Sequence, residues 1–347
     1  MSPINIGIAM SGGVDSTIAA SLLQDLGYRV HGFFMLLPLV HLETQKQRVR
    51  EVADKLSIPL RYIDMRHQFS DQVIRYFIEG YRAGQTPNPC IFCNHAIKFG
   101  RLAETMLQKG MDRIATGHYA RVRQVGDHFA VFRGTDRFKD QSYFLARLSS
   151  PQLSRLVFPL GEWTKEQVYH RAKALGFDFQ GEESQDICFL TRGLPSFFAE
   201  QGLPEQAGPI VSLDGTVLGE HRGAWNYTIG QRRGLGLPDA TPWYVVGIEG
   251  HANRVIVGKN ADLLQSACML HSLQWTQAPP VLPWSGQVQL RSRHAPAAAR
   301  LRPAGPDRWQ LTFATPQRAI TPGQFAVFYE DDQVLGSAVI AGPESKP

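Results

Sequence analysis

The stretch that most constrains the fold is SGGVDS, residues 11–16, which follows the apolar run 4–10 and precedes the helix-like stretch 17–26. This order predicts a buried strand, a glycine-rich turn and a helix. The two glycines let the backbone approach an oxyanion without a Cβ in the way, and the two serines add hydroxyl donors. The amides at the helix start carry the positive end of the helix dipole. The turn therefore predicts a phosphate site.

The turn differs from the two common phosphate loops, because it has neither a lysine at Walker spacing nor the GxGxxG pattern. It resembles the PP-loop of ATP pyrophosphatases, enzymes that split ATP into AMP and pyrophosphate to activate a carbonyl oxygen. An ordinary strand-to-helix turn is the alternative. The resemblance implies an ATP site, with Mg²⁺, formed by Ala9, Met10, Ser11, Gly12, Gly13, Val14, Asp15, Ser16, Met35 and Gly117.

Composition indicates a globular protein of two or three domains: 347 residues, 43% of them hydrophobic and 19% charged. No apolar run approaches the roughly 20 residues of a membrane helix, and the first strand begins too early to leave room for a signal peptide. We therefore expect a cytoplasmic protein whose four cysteines do not form structural disulfides. The net charge of +5 is compatible with a polyanionic partner but does not require one.

The N-terminal part alternates strand and helix signals, with apolar runs at 28–35 and 60–64 around the helix-favouring stretch 43–56. Such alternation predicts an α/β fold with right-handed crossovers and a doubly wound parallel sheet, whose ligands bind at the carboxyl ends of the strands. The phosphate turn lies at such an end.

The C-terminal part changes character after a linker predicted at 204–208. An Asp-Gly turn predicts a hairpin over 212–219, and short alternating strands over 287–293, 309–313, 325–329 and 334–340 predict a small β-barrel. We therefore predict a PP-loop domain over 1–203, a small β-rich central domain over 204–271 and a β-barrel domain over 272–347.

Two cysteines lie in TPNPCIFCN, residues 86–94, where alternate prolines exclude a helix and present the thiols from a stiff loop. A C-x-x-C pair serves as a redox couple, half of a zinc site or part of an iron–sulfur cluster. The sequence contains no second C-x-x-C, which weakens the structural zinc alternative, but a third cysteine follows in SQDICF, residues 184–189.

Several motifs together resemble the tRNA-specific 2-thiouridylase family. Single motifs are weak, whereas their joint order and spacing from the first strand to near the C-terminus are highly specific. Beside TPNPCIFCN and SQDICF they are ATGHYAR (115–121), KDQSYFL (139–145), FPLG (158–161), GQRRGLGL (230–237), PWYVV (242–246) and TPGQ (321–324).

The resemblance implies ATP-dependent replacement of the C2 oxygen of the wobble uridine in certain tRNAs by sulfur. Adenylation turns this poor leaving group into AMP, which a sulfur nucleophile then displaces. Cys188 would carry the sulfur as a persulfide, and Cys93 would attack or close a disulfide with Cys188. For these roles we expect lowered pKa values at both thiols.

Cys90 departs from the family pattern, since the better-known members carry aspartate there as a proposed acid or base. Cys90, Cys93 and Cys188 are three cysteines that could hold a four-iron, four-sulfur cluster with one open iron, as sulfur-inserting relatives are thought to do. Cys188 would then be a cluster ligand. The alternative is that Cys90 is incidental beside the two-cysteine mechanism. Cys268 matches no family motif and is predicted to be a buried small hydrophobe.

Transfer RNA is the partner that the resemblance implies, together with a sulfur donor, either a persulfide carrier protein or sulfide. A monomer is expected. The charged strip around KDQSYFL could follow a tRNA backbone. By resemblance, the tRNA-binding residues are Asn88, Pro89, His118, Lys139, Asp140, Gln141, Arg293, His294 and Gln324.

Two other functions remain open. An amidating synthetase with the same turn would use ammonia, but it gives no reason for the cysteine motifs and needs an amidotransferase domain that this chain does not display. A non-catalytic protein that binds tRNA or an iron–sulfur cluster is disfavoured because Asp15 and Ser16 are intact.

Overall fold

The computed structural model describes residues 3–179, 187–203, 205–238 and 240–342. Ser184–Asp186 of the SQDICF motif and Pro204 of the predicted linker therefore lie outside the described residues. The chain forms two compact units. The first contains residues 1–73, 90–189 and 330–335, and the second contains 74–89, 190–329 and 336–347.

The strands carry most of the architecture in both units. In chain order they are β1 Asn5–Ala9, β2 Arg29–Leu36, β3 Leu60–Asp64, β4 Arg113–Ala115, β5 Ala120–Val125, β6 His128–Arg133, β7 Leu156–Val157, β8 Gly208–Ser212, β9 Val217–His221, β10 Tyr244–Glu249, β11 Arg254–Gly258, β12 Leu264–Trp275, β13 Trp284–Gln289, β14 Ala297–Gly305, β15 Arg308–Arg318, β16 Phe325–Glu330 and β17 Gln333–Ile340.

The helices are short. They are α1 Val14–Asp25, α2 Leu42–Lys55, α3 Arg66–Phe69, α4 Arg75–Arg82, α5 Pro89–Cys93, α6 Ala103–Gln108, α7 Ser150–Leu153, α8 Lys165–Ala174 and α9 Gly193–Glu200. Two π-helical segments, Ser70–Ile74 and Asn94–Leu102, continue α3 and α5. None of the helices in the described ranges combines the length and the apolar character that crossing a membrane requires.

The first unit is built on a parallel sheet with strand order β3-β2-β1-β4-β7. One face is buried under α1, α2 and α8, where Ile18, Val52 and Val168 belong to the same hydrophobic core as Ile6 and Ile8 of β1. On the other face, a Cβ added to Gly7 would lie 3.2 Å from the sulfur of Met106 in α6. The predicted doubly wound sheet is thus confirmed. The order of strands reverses between β1 and β4, which is where such sheets bind ligands.

An antiparallel hairpin of β5 and β6 follows the sheet strand β4 within the first unit. Gln333, at the start of β17, pairs with Phe132 of this hairpin. This hairpin is not among the elements predicted from the sequence. Its side chains alternate only weakly between buried and exposed, so the pattern that identifies a strand is faint here.

The second unit contains two all-β parts. A four-stranded sheet has the order β10-β11-β8-β9. Six antiparallel strands, in the order β12-β15-β14-β13-β16-β17, close into a barrel because β12 also pairs with β17. Trp275, Trp284 and Phe328 pack together in the barrel. The predicted central β-rich region and C-terminal barrel are confirmed, whereas the exact domain boundaries stay a prediction.

Candidate active site

The turn at residues 11–16 is held by its own hydroxyl groups. The Ser11 amide donates to Ser16 Oγ at 3.2 Å, and Ser16 Oγ donates to the Gly13 carbonyl at 3.0 Å. Gly12 has φ +78°, a conformation that side chains with a Cβ rarely adopt. The turn is therefore stabilised by hydrogen bonds between its own residues.

Helix α1 begins within this turn, at Val14, with Gly13 as its N-cap. Glycine has no side chain that could accept hydrogen bonds from the amides of the first helical turn, so these amides remain for an external acceptor. The helix begins at Val14, three residues earlier than predicted, so that Asp15 and Ser16 belong to its first turn. An anion at this point would meet the amides and the positive end of the helix dipole.

Gly117 lies directly against the first turn of α1. A Cβ at this position would lie 2.8 Å from the carbonyl carbon of Asp15 and 2.9 Å from the amide nitrogen of Ser16. Two backbone segments thus approach each other closely beyond the carboxyl ends of β1 and β4, which requires a residue without a Cβ. The place of Gly117 in the ATP site stays a prediction.

Asp15 is the centre of a polar cluster. Its carboxylate accepts from Lys165 Nζ at 2.7 and 2.9 Å, and its Oδ1 also accepts from the Tyr119 hydroxyl at 2.7 Å. Burial raises the pKa of Tyr119, and the Asp15 carboxylate raises it further, so the phenol keeps its proton and remains a donor. The cluster joins α1, the segment after β4 and the start of α8.

Cys90 and Cys93 lie on helix α5, which corrects the prediction that the prolines exclude a helix. Pro89 is the first helical residue, a position where the missing amide hydrogen costs nothing and the fixed φ suits the helix. The helix continues as a π-helix from Asn94 to Leu102. The two thiols are thus presented from a helix start and not from a loop.

A positive charge near the cysteines comes from Lys98, a residue that no sequence motif indicates. Its ammonium group lies close enough to lower the pKa of three groups: Cys93, Cys188 and His118. The ring of Phe99 packs against that of His118, with centroids 5.7 Å apart. Because His118 follows Gly117, these contacts connect the cysteine helix to the phosphate turn within the first unit.

The thiols have raised pKa values, contrary to the expectation of lowered ones. Burial raises the pKa of Cys93 to about 12, and the neighbouring Cys188 and Cys90 add to this effect. Desolvation also raises the pKa of Cys188, although this residue is exposed. In both cases the loss of hydration outweighs the attraction of Lys98. Cys268, in the barrel, is half-buried and has a pKa raised to about 12 by desolvation.

The predicted cluster ligands Cys90, Cys93 and Cys188 lie near one another and form no disulfide. Within the part of the chain that the structure describes, however, no three histidine, cysteine, aspartate or glutamate side chains are placed to hold a metal ion. The iron–sulfur cluster on these three cysteines stays a prediction.

His118 is buried between aromatic rings, and Thr116 Oγ1 lies 2.7 Å from its Nδ1. Burial lowers the pKa of His118 well below its ordinary value, with a smaller contribution from Lys98, so the ring is neutral at physiological pH. Its surroundings fit a structural role as well as the predicted contact with tRNA.

Asp140 and Gln141 serve the fold of their loop. The Asp140 carboxylate is 6% exposed, pairs with Arg133 at 3.0 Å and accepts from the amides of Gly134 and Ser142. Gln141 Oε1 accepts from the Tyr119 amide at 3.0 Å. Lys139, by contrast, is half-buried at the loop. Contacts of these three residues with tRNA stay a prediction.

The remaining predicted tRNA-binding residues belong to the second unit. Asn88 and Pro89 are buried, and Gln324 Nε2 donates to the Thr86 carbonyl at 2.7 Å. Arg293 is exposed, whereas burial lowers the pKa of the half-buried His294. Their contacts with tRNA likewise stay a prediction.

Two residues of the site escaped the sequence analysis, Lys98 and Lys165. Both were lone lysines in helix-favouring stretches, and a lone lysine is usually a solvated surface residue. A weak signal was available for Lys165, because Thr164 and Gln167 form a capping box that places residue 165 at a helix start. Only the fold brings this helix start to Asp15.

Comparisons with known proteins cover the whole chain. Residues 4–192 match the family model described as tRNA methyl transferase HUP domain. Residues 196–259 match a tRNA methyl transferase PRC-barrel domain, and residues 265–340 match an aminomethyltransferase beta-barrel domain.

Three curated relatives carry the name tRNA-specific 2-thiouridylase MnmA. The protein from Desulfotalea psychrophila is 46% identical over 96% of this chain and 98% of its own length. The protein from Syntrophotalea carbinolica is 42% identical, covering 97% and 98%, and that from Chloroflexus aggregans is 42% identical, covering 98% and 99%.

Proposed function

Because the chain belongs to the tRNA-specific 2-thiouridylase family, we propose that it replaces the C2 oxygen of the wobble uridine in tRNA by sulfur, with ATP converted to AMP and pyrophosphate. The observation that carries this proposal is the continuity of the site. The phosphate turn, Gly117, His118, Lys98 and Cys93 are linked by successive contacts or charge effects in one unit. Activation and sulfur delivery can therefore occur side by side.

The first step is adenylation of the base. The C2 oxygen attacks the α-phosphorus of ATP, the bond to the bridging oxygen breaks, and pyrophosphate leaves. The turn at 11–16 and the start of α1 bind the pyrophosphate through backbone amides and hydroxyl groups. Mg²⁺ is usually held by one or two carboxylates together with substrate phosphates, which fits Asp15 as its protein ligand, and it neutralises phosphate charge when bound.

The second step transfers sulfur through the two thiols. Cys188, which is exposed, receives sulfur from a donor as a persulfide. The terminal sulfur attacks C2, AMP leaves, and the base is linked to Cys188 through a disulfide bond. The Cys93 thiolate then attacks Cys188 Sγ, which releases 2-thiouridine and leaves a Cys93–Cys188 disulfide. A thiol reductant supplies two electrons to restore both thiols.

Lys98 supports this chemistry because Cys93 must lose its proton to act as a nucleophile. Burial disfavours the thiolate and the Lys98 ammonium favours it. The iron–sulfur alternative, in which Cys90 joins the other two cysteines as ligands, enters no step of this mechanism. It stays a prediction that an iron assay decides.

Recognition of tRNA is proposed for the residues that match the family, with Lys139 and Arg293 as the cations among them. The net charge of +5 favours binding to phosphate groups. A cytoplasmic location, a monomeric state and the nature of the sulfur donor stay predictions.

The experiment is anaerobic purification with assays of iron and acid-labile sulfide, followed by incubation with unmodified tRNA, ATP and either sulfide or a persulfide donor. We expect 2-thiouridine, AMP and pyrophosphate in equal amounts. ATP turnover without thiolation, or ammonia incorporation, would overturn the proposal. The matching family is described as a tRNA methyl transferase, so a parallel incubation contains S-adenosylmethionine in place of ATP. Transfer of a methyl group to tRNA in that incubation would also contradict the proposal.

Iron content separates the two sulfur mechanisms. About four irons per chain, lost together with activity in Cys90→Ala, would assign the cysteines as cluster ligands. Thiolation by iron-free protein with a persulfide donor supports the two-cysteine mechanism.

A further inference from the structure

Lys165 and Asp15 form an ion pair at the phosphate turn. The ammonium nitrogen lies 2.7 and 2.9 Å from the two carboxylate oxygens, across 150 residues of sequence. The Lys165 side chain is 15% exposed and that of Asp15 is 30% exposed. The pair is thus mostly shielded from water but remains open on the side of the carboxylate.

Lys165 is held in place from three directions. It is the first residue of α8, and its backbone amide donates to Asp136 Oδ2 at 2.9 Å. Its ammonium group lies 5.7 Å from the ring centroid of Tyr119 and 5.2 Å from that of Tyr169. The backbone is therefore fixed, whereas four rotatable bonds let the ammonium group move by a few ångströms.

In this ion pair, the Lys165 ammonium group neutralises the negative charge of Asp15 at the turn. Asp15 lies in the first turn of α1, next to the amides that are arranged for an anion. An unneutralised carboxylate there would repel phosphates, and the turn itself contains no cation. Lys165 supplies the charge that the turn lacks, and it does so from outside the motif.

Building on the proposed function, we propose that Lys165 is a phosphate-binding residue whose ammonium group is held by Asp15 in the free protein and binds the β- and γ-phosphates of ATP, and then pyrophosphate. Tyr119 remains hydrogen-bonded to Asp15 when Lys165 turns to the phosphates. Asp15 thereby keeps one donor and regains a free oxygen.

The test compares ligands that contain the β-phosphate with one that lacks it. Binding of ATP, pyrophosphate and AMP to the full chain is measured by calorimetry without tRNA for the wild type, Lys165→Met and Lys173→Met. Lys173 is an exposed lysine on the same helix and serves as the matched control. We expect Lys165→Met to weaken ATP and pyrophosphate binding by roughly tenfold to hundredfold and to leave AMP binding unchanged.

A merely structural ion pair would give a different result. If Lys165→Met weakens all three ligands equally, or weakens none, the inference is wrong. Lys165→Arg, which keeps the charge, should restore part of the pyrophosphate affinity. If Lys165→Met does not fold, Asp15→Asn is the second variant. It removes the carboxylate that holds the Lys165 ammonium group, so we expect pyrophosphate to bind several-fold more tightly in the absence of metal. Weaker binding in Asp15→Asn would contradict the inference.

Failure of this inference is distinguishable from failure of the proposed function. If the wild-type protein thiolates tRNA and Lys165→Met binds pyrophosphate with normal affinity, the inference about Lys165 is wrong and the proposed function stands. If Lys165→Met weakens pyrophosphate binding but the wild-type protein never thiolates tRNA, the proposed function is wrong and the inference about Lys165 stands.

Discussion

Cys93 and Cys188 have different surroundings although both are neighbours of Lys98. Cys93 is buried on a helix, and Cys188 is exposed. A sulfur acceptor must be reached by its donor, whereas a resolving thiol must be protected from unspecific oxidation. This asymmetry supports the division of roles between the two residues.

Cys188→Ser tests that division, because serine cannot form a persulfide. We expect 2-thiouridine formation to fall by at least about a hundredfold, as for loss of a covalent nucleophile. ATP binding should be unchanged. Cys268→Ser, in the barrel and outside every motif, is the matched control and should retain activity. Mass spectrometry of nucleosides measures the product, and near-normal thiolation by Cys188→Ser would refute the persulfide role.

His118 gives a prediction about pH. Burial holds its pKa below the value of about 6.5 that it has in an unfolded chain. Below pH 6.5 the unfolded chain therefore binds more protons, so the stability that neutral His118 contributes is present above about pH 6.5 and is lost as the pH falls.

The measurement is an NMR titration of the histidine Cε1 protons, with His118 assigned by comparison with His118→Asn. We expect the His118 signal not to shift between pH 8 and about pH 6.5, while histidines of the urea-unfolded chain titrate near pH 6.5. A midpoint at or above the unfolded value would contradict burial as the dominant cause.

At the level of elements, the helical segment from Pro89 to Leu102 carries Cys90, Cys93 and Lys98 and sets their relative positions. In an α-helix, residues five apart point in directions about 140° apart. The i→i+5 hydrogen bonds of the π-helical segment bring Lys98 closer to the face of Cys93. The local sequence has no feature that identifies a π-helix.

The contact between Gly117 and α1 gives a second prediction at this level. In Gly117→Ala the new methyl group would collide with the backbone of Asp15 and Ser16, so the phosphate turn must shift. We expect ATP affinity to fall at least about tenfold and the free energy of unfolding to fall by about 1–3 kcal/mol.

Gly342→Ala is the control, because a Cβ there would meet only Pro322, at 4.0 Å. Calorimetry and thermal unfolding measure both variants. Wild-type ATP affinity in Gly117→Ala would mean that the turn tolerates the shift and that its geometry does not determine nucleotide binding.

In the whole molecule, the chain passes five times from one unit to the other. Residues 74–89 belong with the C-terminal half although they lie in the predicted domain 1–203. The Thr86 amide donates to the Pro322 carbonyl at 2.8 Å, and a Cβ on Gly84 would lie 2.7 Å from the Ile248 carbonyl oxygen. These contacts cannot form in a fragment that ends at 203.

A fragment of residues 1–203 therefore tests the predicted boundary. We expect amides of residues 82–87 to exchange with deuterium at least about tenfold faster in the fragment than in the full chain. Peptides from β1 and β2 are the internal control and should keep their protection. Equal protection of residues 82–87 in both proteins would show that the predicted domain is complete without the C-terminal half.

The parallel sheet, the later β-rich region and the family could be predicted from the amino-acid sequence, as could the position of the glycine-rich turn between β1 and α1. These depend on local spacing, such as SGGVDS after an apolar run, which fixes where strands and helices start. Hydrogen bonding and side-chain periodicity act over a few residues, so they can be read from the chain directly.

Which charged side chains lie next to each other could not be predicted without the three-dimensional fold. Lys165 pairs with Asp15, 150 residues away in the sequence, and Asp140 pairs with Arg133. Cys93 is buried, which raises the pKa of its thiol. The reason is physical, since desolvation and ion pairing depend on distance in space and on the atoms that exclude water. Neither the distance between two charges nor the exclusion of water around them produces a periodic pattern or a motif in the sequence.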